Sequence, residues 1–251
     1  MSQMFKSLIV LVVTIISVHL VYIGVIRPQA ALSIENALSL GQSMPRNLFV
    51  ILKDFEQEVC LVLMFWGSYL ILSKCVALLK DRYLFNVDLL EKNDEGSLSL
   101  DEALKGLEKL PADALETPLV QTLMASVRRF LITNDVQNTS DAIQSSVEAL
   151  AVKLEADNSM IRYLIWAIPS IGFIGTVRGI GQALSQADQA LAGNIAGMTN
   201  SLGMAFNSTL IALLISIFLM FFLHQLQSLQ DALVVDTQAY CEKFLLNRIS
   251  R

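Results

Sequence analysis

The chain has 251 residues, 54% of them hydrophobic and only 16% charged, with a mean hydropathy of +0.54. A soluble globular domain carries about 25% charged residues, so the composition excludes an ordinary soluble domain and argues for a membrane protein. The net charge of −5 argues against nucleic acid as a partner.

The charge deficit collects in a few long runs. The first is Ser7 to Ile26, preceded by Lys6. A secretory signal has a core of about 7–15 residues and a small-residue cleavage site. This run is longer and no such site follows, so a retained helix is the preferred reading. The second run is Val59 to Leu79, broken only by Lys74; the third is Tyr163 to Val177; the fourth has its apolar part between Leu202 and Leu223. Roughly 20 apolar residues cross a bilayer core of ~30 Å, which gives four transmembrane helices.

Lys and Arg set the expected orientation. Lys80, Arg82, Lys92, Lys105, Lys109, Arg128, Arg129, Lys153 and Arg162 lie between the second and third runs, and Lys243, Arg248 and Arg251 lie in the tail. The segment after the first run has Arg27, Arg46 and Lys53, offset by Glu35, Asp54, Glu56 and Glu58. The positive-inside rule places both termini and the central segment in the cytoplasm. The expected organisation is a first transmembrane helix over 1–27, a periplasmic loop over 28–55 and a second helix over 56–80. A cytoplasmic helical region follows over 81–160, then a third helix over 161–184 and a short periplasmic loop over 185–199. The fourth helix takes 200–224, and a cytoplasmic C-terminal helix takes 225–251.

Between the runs, Pro28, Gly41 and Pro45 punctuate a loop with room for a short helix around Ala30–Leu40. Asn93-Asp94-Glu95-Gly96 reads as a turn, and Ser99 with Glu102 as a capping box that starts a helix carrying Leu100, Ala103, Leu104 and Leu107. Pro111 ends that helix. Thr117-Pro118 opens another in the favoured cap-then-proline order, with Leu119, Leu123, Val127 and Phe130 on one side. Glu91 to Glu102 also has the spacing of a calcium-binding EF-hand loop, but Glu replaces the usual Asp at its first position and no second loop is visible. A solvated turn leading into a capped helix explains the same residues better. Further on, Ile143, Val147, Leu150 and Leu154 form a stripe that should run unbroken into the third span. Leu226, Leu229, Leu233, Tyr240 and Phe244 continue the fourth span inward, and the two stripes should pack on each other or on copies. Cys60, Cys75 and Cys241 read as reduced small hydrophobes, not metal ligands or a disulfide framework.

The last two spans carry the functional signal. Gly172, Gly175, Gly179 and Ala183 recur at three- and four-residue steps, a smooth strip that includes a GxxxG pair. On the fourth span Ser201, Ala205, Ser208, Ala212 and Ser216 share one face, with Asn207 and Thr209 beside them. Small residues let helices approach closely in lipid, and polar ones bond between them or line a polar path. No Asp or Glu occurs within the four apolar runs, and His19, the one titratable group well inside them, has no acid there to pair with. A proton path needs an ionisable group, so its carboxylate would come from another chain. No His/Cys/Asp constellation or phosphate loop points to an enzyme.

The string Pro169-Ser-Ile-Gly-Phe-Ile-Gly-Thr-Val-Arg-Gly-Ile180, followed by Ser201-Leu-Gly-Met-Ala-Phe-Asn-Ser-Thr-Leu-Ile-Ala-Leu-Leu-Ile-Ser-Ile217, resembles the MotA/TolQ/ExbB ion-channel family over roughly Tyr163 to Phe222. The resemblance implies an all-α membrane protein of four transmembrane helices with cytoplasmic helical extensions, in the bacterial inner membrane. It implies a homopentamer around a dimer of a single-span ExbD/TolR/MotB-like partner, which carries the essential Asp. Proton or sodium flow past that Asp would drive the motor, with no cofactor. By position, Thr176 and Thr209 resemble the family's polar pore-lining pair facing the partner's Asp. Pro169 matches the proline near the cytoplasmic start of the first pore helix, and Gly175 and Gly179 match close-packing positions. Asn207 and Ser208, grouped with the ion pathway, stand where many relatives have Asp-Thr or small residues. Gly172, Ala205 and Ala212 complete the packing strips. The rival reading is a non-conducting membrane scaffold in which the same strips only hold an oligomer together.

Overall fold

A computed structural model describes residues 2–40, 45, 47–90 and 100–250. Among these residues the secondary structure is helical throughout, with no strand. The chain divides into two units: Met1–Leu72 with Met160–Leu223, and Ser73–Ser159 with His224–Arg251.

In the first unit, α1 (Ser2–Val21) passes through one π-helical turn (Tyr22–Ile26) straight into α2 (Arg27–Ser39). The break expected at Pro28 does not occur. A proline ring collides with the carbonyl four residues back in a regular helix, and the wider turn just before Pro28 relieves that collision. A short helix, α3 (Leu48–Leu52), is started by Asn47, whose side chain accepts from the Val50 amide at 2.9 Å and donates to Ser33 of α2 at 2.8 Å. Three long helices follow, α4 (Phe55–Asp81), α9 (Ser159–Ser185) and α11 (Ala196–Cys241), of which α4 up to Leu72 and α11 up to Leu223 belong to this unit. Between the last two lies the short α10 (Ala187–Leu191). Trp66 of α4 donates its indole N–H to Ser7 of α1 at 3.2 Å, and Val18, Tyr22, Ile26 and Val62 form a small apolar core between them.

The second unit is built as a water-soluble bundle would be. α5 (Leu100–Glu108), α6 (Ala112–Leu115), α7 (Pro118–Thr133) and α8 (Val136–Asp157) surround Leu107, Leu119, Val120, Leu123, Val127, Ile143 and Val147, with Tyr240, Cys241 and Leu245 from the tail. Asn134 takes the left-handed conformation (φ 46°) that ends α7, and Asp135 caps α8 by accepting from the Gln137 amide at 2.8 Å. The expected run into the third span is continuous over Val136–Ser185 apart from one turn residue, Asn158, between α8 and α9. The Asn158 side chain is buried and donates to Gln230 of α11 at 2.6 Å. The stripe of α8 also differs from expectation. Ile143 and Val147 are in the shared core with α7, whereas Leu150 and Leu154 are only half-buried. The tail, ending in α12 (Asn247–Ile249), is clamped down by Tyr240, which accepts from the Leu89 amide and donates to the Val87 carbonyl, and by Arg248, which reaches Asp88 and the Leu90 carbonyl. Of the calcium-loop reading, Glu91 to Ser99 lie outside the described residues.

Four helical stretches of the described residues, Phe5–Ala37, Phe55–Asn86, Val136–Ser185 and Ala196–Ile249, are long and apolar enough to cross a membrane. Large apolar side chains on all four, among them Leu8, Phe65, Phe173 and Phe218, are exposed in the single chain. That pattern suits lipid or neighbouring helices, not water.

Candidate functional site

α9 and α11 form an antiparallel pair whose contact is decided by missing side chains. A Cβ added at Gly172 would come within 2.5 Å of the Ala212 Cβ; at Gly175, within 2.6 Å of the Ser208 Cβ; at Gly179, within 2.6 Å of the Ala205 Cβ and 2.9 Å of its Cα. Each small residue of α11 therefore sits in a hole left by a glycine of α9. Ala183 and Ser201 extend the same buried strips. Of the six expected packing residues, Gly172, Gly175, Gly179, Ala205 and Ala212 are buried in this one seam, and Pro169 is half-buried. With lipid outside, such a seam is held by dispersion and interhelical bonds, since water gives little drive at this depth.

Pro169 is inside α9 and has no N–H to offer the Ile165 carbonyl four residues back. Ser216 of α11 supplies the missing donor, its hydroxyl reaching that carbonyl at 2.9 Å. A polar residue of the seam thus repairs the one backbone acceptor that proline strips, as membrane helices require.

One flank of the seam carries the two threonines. The Thr176 and Thr209 hydroxyls are hydrogen-bonded to each other. Both also reach the Gly172 carbonyl, at 3.3 and 3.1 Å, and Thr176 lies 3.3 Å from the Ala205 carbonyl. One hydroxyl can donate to the other while that one donates to Gly172, which satisfies both protons and leaves oxygen lone pairs uncommitted. Asn207 and Ser208 do not join this pair. The Ser208 hydroxyl is buried on the α4 side, accepting from the Gln57 amide at 3.2 Å. Asn207 lines a separate cavity with Val50, Ile51, Asn200, Gly203 and Leu210. In the single chain the four polar residues therefore do not converge: the threonines pair, and Asn207 and Ser208 face elsewhere. Adjacent helix residues point about 100° apart, so three in a row cannot share a face.

The opposite flank holds a charged layer absent from the sequence reading. Glu56, Gln57 and Glu58 open α4, and each contacts a different helix. Glu56 meets Arg178 of α9 at 2.8 Å, Gln57 meets Ser208 of α11, and Glu58 meets His19 of α1 at 2.6 Å and Arg27 of α2 at 2.8 Å. All three α4 side chains are buried. Successive 100° steps let one helix turn grip three neighbours. His19 thus has an acidic partner, contrary to expectation, and the chain does bury acids of its own beside the hairpin. The π turn explains the second half of that grip. Eight residues of regular helix would leave His19 and Arg27 about 80° apart, whereas one extra residue in the turn brings them within about 20°. The sequence signal was present as Glu-Gln-Glu at the head of an apolar run, but it reads equally well as the polar edge of a loop. Among the described residues no group of three or more His, Cys, Asp or Glu side chains converges as a metal site requires.

A multi-pass helical protein with a glycine-seamed hairpin and a bonded threonine pair at membrane depth has the build of a transmembrane channel or oligomer-forming subunit. Residues 112–239, just over half of the chain, match the MotA/TolQ/ExbB proton channel family, and the chain belongs to that family. No curated protein and no solved structure matches it.

Proposed function

We propose that the chain is the channel-forming subunit of an ion-driven motor in a bacterial inner membrane. It uses proton or sodium motive force to drive work through a single-span, Asp-bearing ExbD/TolR/MotB-like partner. The observation that carries this reading is the Thr176–Thr209 pair, bonded across the α9–α11 hairpin in a chain of this family. The pair holds oxygen atoms where a partner's carboxylate and its ion would shed water, and its own protons are already accommodated. Both termini are cytoplasmic in this reading, so α4 begins at the outer face. Five copies surround two partner helices.

The glycine seam alone would serve a non-conducting scaffold equally well. The two readings part on stoichiometry and flux. Co-expression with a single-span protein encoded beside this gene, purification and native mass measurement should give five copies to two, with ion flux in liposomes only when both proteins are present. A stable oligomer of this chain that excludes every such partner and passes no ion would establish the scaffold instead.

A further inference from the structure

Glu56 is an acid with an insecure counter-ion. Its side chain is 6% exposed while that of Arg178 is 44% exposed, so the acid is enclosed by this chain and the base lies half-open at its edge. The guanidinium stands 2.8 Å from Oε2 without the alignment of a hydrogen bond, and Oε2 is otherwise shut off from solvent. The carboxylate stem lies against Gly175, where an added Cβ would stand 3.3 Å from the Glu56 Cγ. Next to it the Gln57 Oε1 is also buried without a donor. The other groups around it are committed. Ser208 from α11 bonds Gln57 and the Met204 carbonyl, Glu58 is held by His19 and Arg27, and Lys53 pairs with Asp54 just before α4. Cys60 is one turn along α4 and buried, and Tyr22 is buried on the Glu58 side with its hydroxyl unpartnered.

We propose that Glu56 is a proton-binding site of this chain, filled when Arg178 swings out and emptied when it returns. A buried carboxylate that loses its partner takes up a proton in preference to holding an unpaired charge. One proton is added to a carboxylate oxygen, the negative charge is cancelled, and the guanidinium turns toward its exposed side. No other bond changes. Arg178 is two residues beyond Thr176 on α9, so occupancy of this site is tied to the position of the helix that carries the threonine pair. The site rests on the proposed channel function only for its purpose, because proton uptake is read without partner or flux.

Infrared spectra of the purified protein in lipid test it, in the carbonyl-stretch region of protonated carboxylic acids. At neutral pH, Arg178→Gln should gain a band that Arg178→Gln/Glu56→Gln lacks, and Arg178→Lys should resemble the parent. Identical spectra of the single and double variants would overturn the proposal. Should Arg178→Gln not accumulate in membranes, acid-minus-neutral difference spectra of the parent and of Glu56→Gln replace it. A band missing only from Glu56→Gln supports the site, and superimposable spectra overturn it. Loss of flux in threonine variants with this band intact would leave both readings standing, whereas normal flux in them would remove only the channel reading.

Discussion

The α9–α11 hairpin and the bundle around α7 hold together by opposite means. In the bundle, Leu119, Val120, Leu123 and Val127 are buried completely or nearly so, and stability comes from large apolar side chains leaving water. In the hairpin the buried strip is glycine, alanine and serine, while Phe173, Ile174, Phe206 and Ile217 are exposed. Where the solvent is lipid, burying a leucine gains little, and close backbone approach with satisfied polar groups takes over. Size is thus worth most in one region and least in the other.

The largest effect should come from emptying the bundle. Leu123→Ala should cost about 2–5 kcal/mol, seen as a fall in the thermal unfolding midpoint of the purified protein. Filling the hairpin comes next. Gly179→Ala places a methyl against the Ala205 backbone, which cannot yield as a side-chain tip would, and should cost about 1–3 kcal/mol. Gly181, on the same helix, has nothing within 4 Å of an added Cβ. Gly181→Ala should stay within about 0.5 kcal/mol of the parent, and equal losses at the two glycines would show that close packing does not set the stability of the hairpin.

Much of the hairpin was legible because spacing alone puts Gly172, Gly175 and Gly179 on one strip, and close packing then follows from their size. The charged layer was not. Glu56, Gln57 and Glu58 owe their partners to three helices that are distant in sequence, and the alignment of His19 with Arg27 depends on a π turn that Tyr22–Ile26 do not announce. In the bundle, the stripes of α5 and α7 were readable and the turn at Asn134-Asp135 had its usual chemistry. The one-residue turn at Asn158 was not, since its side-chain bond to Gln230 is tertiary.

Smaller effects sharpen the same contrast. Ser216→Ala leaves the Ile165 carbonyl without a donor and should cost about 1 kcal/mol. In a Pro169→Ala background the helix amide returns, so the loss should shrink, and a double-mutant cycle measures the coupling. In the bundle, burial foremost, helped by the charge of Glu242, pushes the Cys241 thiol up to about 12. It therefore stays protonated and unreactive at pH 8. A maleimide at that pH should leave Cys241 unlabelled in the folded protein and reach it only on unfolding.

In the proposed channel an ion passes beside the bonded threonines. Thr176→Val and Thr209→Val keep the shape of the seam and remove its hydroxyls. The decisive measurement is ion flux through partner-containing proteoliposomes with each variant, at equal assembled protein. Flux should be lost in both with the oligomer intact, and parental flux in both would remove the threonines from the ion path.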